Sequence, residues 1–179
     1  MKDNIILTGF MGCGKTSVGI RLSYRLKRTM IDTDKWIEKK AGLTVSEIFE
    51  QSGEEAFRRM ETDCLQSLIR EDIQGQILSV GGGLPLREEN SALLKELGTV
   101  VYLRVTAPTV CERLAGDTTR PLLMGENPEE KVGLLLKKRE PFYEMEADAI
   151  IDVDGREYES ILDEIMEKTG CSEKGQGEN

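Results

Sequence analysis

A chain of 179 residues with 39% hydrophobic and 32% charged side chains is long enough for one domain with a real core and a heavily charged surface. Its formal net charge of −9 argues against duplex nucleic acid or an anionic membrane as the main partner, so any anionic ligand must meet a local cluster of Lys and Arg. Histidine is absent, which excludes an imidazole base, a His-based triad and His metal ligands.

Cys13, Cys64, Cys111 and Cys171 lie far apart with no CxxC pair, as expected of reduced thiols in a cytoplasmic protein. The opening "MKDNIILTGF" lacks the apolar stretch and cleavage site of a signal peptide, and no run is long enough to span a bilayer. The expected compartment is the cytosol, or a matrix-type space after processing.

In chain order, "NIILTG" (4–9), "RTMID" (28–32), "QILSVGG" (76–82), "TVVYLRV" (99–105) and "ADAIIDV" (147–153) read as strands. They are near-continuous in Ile, Leu and Val, the pattern of strands covered on both faces. Helical patterns fill the intervals. Thr16 to Lys27 follows the first strand, and a helix begins near Lys35. Thr44 with Glu47, Ser52 with Glu55 and Asn127 with Glu130 have capping-box spacing, and Pro128 suits a first helical position. Residues 53–70 carry Phe57, Met60, Cys64, Leu65, Leu68 and Ile69 on one side. A helix holding Arg139 is expected to stop at Pro141, and the last one shows Tyr158, Ile161, Leu162, Ile165 and Met166 at helical spacing. Alternating strands and helices predict an α/β fold with a parallel sheet and right-handed crossovers. Residues 1–169 are expected to form a single domain, with "AGDTTRPLLMGENP" (115–128) as a functional or floppy loop and 170–179 as a disordered tail.

"GFMGCGKT" (9–16) fits G-x-x-x-x-G-K-[ST] between the first strand and the first helix. Gly9, Gly12 and Gly14 let successive N–H groups turn inward as an anion nest, and the helix dipole adds positive potential there. Lys15 is placed to reach the β/γ-phosphates of ATP, and the Thr16 hydroxyl can ligate Mg²⁺. Cys13 sits inside this nest. Either it is a small residue the loop tolerates, or a thiol reagent inactivates the protein and ATP protects it.

No carboxylate follows "ILSV", which runs into Gly81-Gly82-Gly83. The available acids are Asp32 and Asp34 after the second strand. Two residues apart on an extended segment, both would face the cleft, one serving magnesium and the other a substrate hydroxyl. Either alone could equally cap the following helix. Arg58 in "GEEAFRRME" and Arg139 in "KKREPFY" suit a fork of hydrogen bonds to an acceptor carboxylate, or are solvated helix residues.

These residues together resemble the shikimate kinases. The matching stretches are "ILTGFMGCGKTSVG", "IDTD", "GEEAFRRMET", "VGGG", "RPLL" and "KKREPFYEMEAD", in the family's order, over about residues 4–168. The resemblance implies a three-layer P-loop kinase fold, in which a five-stranded parallel sheet carries helices on both faces and a lid insert. It also implies transfer of the ATP γ-phosphate to the 3-hydroxyl of shikimate with Mg²⁺. Residues 33–61 would form the acceptor-binding region and 112–126 the lid.

Carried over by position, Gly12, Cys13, Gly14, Lys15, Thr16 and Ser17 would hold the ATP phosphates. Thr16 and Asp32 would serve magnesium, Asp32 through water. Asp34 would bind the acceptor hydroxyls and act as candidate base. Arg58, Arg139 and the Gly81, Gly82 and Gly83 loop would complete the acceptor pocket. Arg120 would swing in on the lid to meet the phosphates, and Arg113 and Arg156 would flank the adenine. The chain departs from the family pattern at Cys13 and across "DVDGREYES". The expected protein is a monomer acting on shikimate and ATP, with no nucleic-acid or membrane partner. A kinase of another small acid such as gluconate, a nucleoside monophosphate kinase and a non-catalytic nucleotide-binding regulator are the alternatives.

Overall fold

Five parallel strands in the order β2-β3-β1-β4-β5 form the centre of the structure: β1 (Ile5–Thr8), β2 (Met30–Asp32), β3 (Ile77–Ser79), β4 (Thr99–Arg104) and β5 (Ala149–Asp152). The structure, a computed structural model, describes residues 3–117 and 124–172. Arg120, the centre of the expected lid and the end of the expected tail lie outside the described residues.

The connecting helices are α1 (Lys15–Leu26), α2 (Thr33–Ala41), α3 (Val45–Arg70), α4 (Glu88–Leu97), α5 (Ala107–Arg113), α6 (Pro128–Glu146) and α7 (Tyr158–Thr169), with a 3₁₀ turn at Leu84–Leu86. Strand side chains alternate in direction, so consecutive residues of β1 feed different layers. Ile5 and Leu7 pack with Leu22 of α1, Leu136 of α6 and Ile161 and Ile165 of α7. Ile6 packs on the other face with Ile37 of α2, Leu65 and Leu68 of α3, and Leu94 of α4. Three layers result. Both stripes read from the sequence, on α3 and α7, face these cores.

β1 lies between β3, reached on one side, and β4, where the chain crosses to the other. That reversal opens a crevice at the carboxyl ends of the strands, where open α/β sheets bind ligands.

Local readings differ in four places. Thr44 and Glu47 form a reciprocal capping box at the start of α3. The Glu55 carboxylate instead accepts from Arg87 at 3.1 Å, so the cap is not made, although the backbone does break from helical geometry at the expected place, Gly53. Asn127 precedes α6 with a left-handed backbone and no side-chain cap, so Pro128 alone marks that start. Pro141 does not end α6, which runs on to Glu146. Pro141 and Lys137 are both exposed, so the carbonyl that loses its N–H partner can turn to water. Asp34 is not on an extended segment at all, because α2 begins at Thr33.

Candidate active site

A cleft of about 770 Å³ opens at the sheet's carboxyl edge, lined by the phosphate loop, both aspartates, Arg58, Glu61, the triple glycine and Arg139.

Its floor is the β1–α1 loop. Gly14 caps α1 with φ +97°, a left-handed turn that suits glycine and brings the first free amides of the helix to the cleft. Lys15 Nζ donates to the carbonyls of Gly9 at 2.7 Å and Phe10 at 3.2 Å, so its charge is held over the loop. Thr16 and Ser17 line the same wall. Cys13 is 1% exposed and its Sγ lies 3.6 Å from Lys15 Nζ. It packs beneath the loop, which favours the tolerated-residue reading over ready attack by a thiol reagent. Arg113 donates to the carbonyls of Gly12 and Cys13, both at 3.1 Å, and to Val153 after β5 at 3.4 Å, which puts it beside the nucleotide loop. Arg156 turns away from the cleft. It pairs with Glu164 and donates to the Ser160 hydroxyl at 2.7 Å, both on α7.

The two aspartates reach the cleft by different means. Asp32 ends β2 and caps α2, its Oδ1 accepting from the amides of Asp34 at 3.0 Å and Lys35 at 3.2 Å. Asp34 sits in the first turn of α2. Burial pushes its carboxyl above the ordinary value, and Asp32 adds to this; Lys15 and Arg58 pull it back. Its Oδ1 is buried without a hydrogen-bond partner.

Opposite stands the loop after β3. A methyl group on Gly81 would come within 2.8 Å of Glu61 Oε1 and 2.9 Å of Asp34 Oδ1, and one on Gly83 would overlap the Arg58 guanidinium. The glycines therefore let three charged side chains close on one strip of backbone. Arg58 is held by Glu61 at 2.8 Å and Glu54 at 3.1 Å. Three of its guanidinium hydrogen bonds are thus made within α3, and a guanidinium has five N–H groups to offer. Arg139, from α6, lines the far side with its guanidinium 5.7 Å from the Phe10 ring.

Three residues of this site went unread in the sequence. Buried Thr33 accepts from the Gly81 amide at 3.1 Å. Glu61 is fully buried, and burial pushes its carboxyl up to about 6 against the opposing pull of Arg58. Tyr143 donates to the Gly82 carbonyl at 2.6 Å. Helical spacing holds a signal for two of them, since Glu61 is three residues after Arg58 and Tyr143 four after Arg139.

The cleft offers an anion cradle, two acids and two arginines at a crevice, which suits phosphoryl transfer to a small anionic acceptor. Comparison with known proteins agrees. A family model described as shikimate kinase matches residues 11–169. The shikimate kinase of Thermodesulfovibrio yellowstonii is 42% identical over 92% of this chain and 94% of its own. That of Caldanaerobacter subterraneus subsp. tengcongensis is 39% identical over 91% and 94%. Among solved structures, shikimate kinase from Acinetobacter baumannii in complex with shikimate superposes with a TM-score of 0.84 at 38% identity, covering 93% of this chain and 92% of that one.

Proposed function

The chain belongs to the shikimate kinase family, and we propose that it transfers the γ-phosphate of ATP to the 3-hydroxyl of shikimate, giving shikimate 3-phosphate and ADP, within the shikimate pathway to aromatic amino acids. The observation that carries this reading is the meeting in one cleft of the phosphate loop with Asp34, Arg58 and Arg139 around the triple glycine. A nucleotide switch needs no such second half.

The residues at the phosphate loop fit a magnesium ion. Thr16 and Asp32 supply hard oxygen donors beside the cradle, and Mg²⁺ asks for only one or two protein ligands when phosphates and water complete its shell. Bound there, Mg²⁺ would neutralise charge on the β/γ-phosphates. The free amides at the start of α1 and the Lys15 ammonium would hold the phosphate oxygens and stabilise the charge that spreads over them as the phosphoryl group moves.

The acceptor carboxylate would bind the N–H groups of Arg58 left free by Glu54 and Glu61, together with Arg139. That grip points the 3-hydroxyl at Asp34. The orphaned, buried Oδ1 of Asp34 is a site for a donated hydrogen bond, and a raised pKa makes it a better proton acceptor. As the O3–phosphorus bond forms and the bond to the ADP oxygen breaks, the hydroxyl proton passes to Asp34. Gly12 to Ser17 would bind ATP with Arg113 beside them. Arg120 would contribute from a lid over residues 112–126, and Arg156 would reach the adenine only by leaving Glu164. We take residues 1–169 as one catalytic domain, 33–61 as its acceptor region and 170–179 as a tail.

The setting proposed is the cytosol, where four free thiols persist. No helix among the described residues is long and apolar enough to cross a membrane. We propose a monomer without a nucleic-acid partner, the latter because the net charge is −9.

The test is ADP release from Mg-ATP with shikimate, quinate, gluconate or no acceptor. Release with shikimate alone is expected. Release with gluconate in its place would move the function to a neighbouring kinase, and acceptor-independent behaviour with ATP still bound would leave only a nucleotide-binding fold.

A further inference from the structure

Tyr143 is buried on α6 with its ring against Tyr102, centroids 5.2 Å apart, and by burial and pairing alone it is a core aromatic. Its hydroxyl does more. It donates to the Gly82 carbonyl at 2.6 Å, and the Arg139 charge, one helical turn earlier on the same helix, stands near enough to act on it. The same oxygen is 3.7 Å from where a Cβ on Gly82 would stand, and that point is 3.3 Å from the Gly9 carbonyl oxygen of the phosphate loop. One hydroxyl thus ties α6 to the acceptor loop.

We propose that Tyr143 is a positioning residue for the acceptor, setting the direction of the Gly82–Gly83 peptide. The inference rests on the acceptor reading above. A trans peptide is planar, with its carbonyl and its N–H on opposite sides. Drawing the Gly82 oxygen toward α6 therefore turns the Gly83 amide away from α6. Neither the Gly82 nor the Gly83 amide donates to a protein group among the described residues, so both remain for an acceptor oxygen. Without the hydroxyl, a peptide flanked by three glycines has little else to fix its plane. Burial pushes the Tyr143 phenol up to about 12, so the donor persists across neutral pH.

Tyr102 supplies the control. Its hydroxyl is buried in the same cluster without a hydrogen-bond partner, so Tyr102→Phe makes the same chemical change without touching the loop. Tyr143→Phe is expected to raise the shikimate Kd and KM about five- to tenfold, the span of a lost hydrogen bond, with the ATP KM and saturating kcat within about twofold. Tyr102→Phe is expected to leave all of these unchanged. An unchanged shikimate Kd in Tyr143→Phe overturns the proposal, and so does an equal loss in Tyr102→Phe, which would make the effect one of packing. Amide exchange across residues 80–86 gives a reading that needs no acceptor. It should be faster in Tyr143→Phe than in Tyr102→Phe, and equal rates also overturn the proposal. A parent chain that ignores shikimate would sink the acceptor reading alone, and the exchange comparison would still decide whether the hydroxyl holds the loop.

Discussion

Single side chains here divide the chemistry into two halves that substitution can separate. On the proposed assignment Lys15 serves the nucleotide half, and Lys15→Met should then lower kcat by at least about a hundredfold, the scale of losing one charge-stabilising donor, while calorimetry still finds shikimate bound. Arg58 faces the acceptor half. Arg58→Ala removes a charge-assisted contact of about 1.5–3 kcal/mol, so the shikimate KM should rise roughly tenfold to a hundredfold with the ATP KM little changed. An unchanged shikimate KM would remove Arg58 from the pocket. Glu61 adds a pH signature. Its carboxyl is at about 6 in the fold against an ordinary 4.5, so between those values the folded chain binds more protons than the unfolded one. Stability falls with rising pH wherever that holds. The contribution is therefore intact below 4.5 and lost as pH rises through 6, on the order of 2 kcal/mol for such a shift. Urea unfolding of the parent and Glu61→Gln should diverge by that amount between pH 4.5 and pH 7, the parent losing ground at the higher pH. A constant difference would mean that Glu61 titrates as an ordinary carboxylate.

At the scale of elements, the kink in α3 brings the acceptor half together. Gly53 has φ +80° and ψ +171°, a conformation essentially confined to glycine, and nothing lies within 4 Å of where a Cβ would stand. Gly53→Ala should therefore cost about 1–3 kcal/mol in denaturant unfolding through backbone strain alone. It should also loosen shikimate binding, since Phe49 before the kink and Arg58 after it line the same cleft. A neutral alanine there would mean that the kink straightens freely. The strands were legible because two-sided burial writes continuous Ile, Leu and Val, and the phosphate loop because its chemistry fixes both spacing and residue type. Arg58, Arg139 and the two aspartates were legible as a set. A break near Gly53 was legible too, since Ser52 and Glu55 mark a helix start there, but its cap was not, because Glu55 pairs with Arg87 instead. Nor was the run of α6 through Pro141, which depends on solvent around one carbonyl. Asp34 was placed in the cleft for a reason that fails, since it rides a helix whose N-cap is Asp32. Tyr143 and Glu61 carry only the faint signal of helical spacing from Arg139 and Arg58, which does not by itself say that an aromatic or an acid faces inward on a loop.

For the whole molecule, two anionic ligands must be drawn into a chain of net charge −9, and the two sites touch. A Cβ on Gly82 of the proposed acceptor loop would stand 3.3 Å from the Gly9 carbonyl oxygen, so the two loops run side by side, while Lys15 donates to that same carbonyl. Ordering the phosphate loop around nucleotide therefore fixes one wall of the acceptor loop, and a ligand that binds an already ordered site meets a smaller entropic cost. Mg-ADP, which permits no turnover, should tighten shikimate by roughly fivefold to tenfold, the lower range of measured couplings, and shikimate must tighten Mg-ADP by the same factor. Each ligand at a hundred times its Kd should raise the stability of the fold by about 2.7 kcal/mol. For a domain of this size that is roughly 5–10 °C in Tm. Melting curves with Mg-ADP, shikimate and both then decide the matter. A joint shift larger than the two single shifts together is the expected sign of coupling through Gly9 and Gly82. A joint shift equal to their sum would mean that the two loops order independently despite their contact.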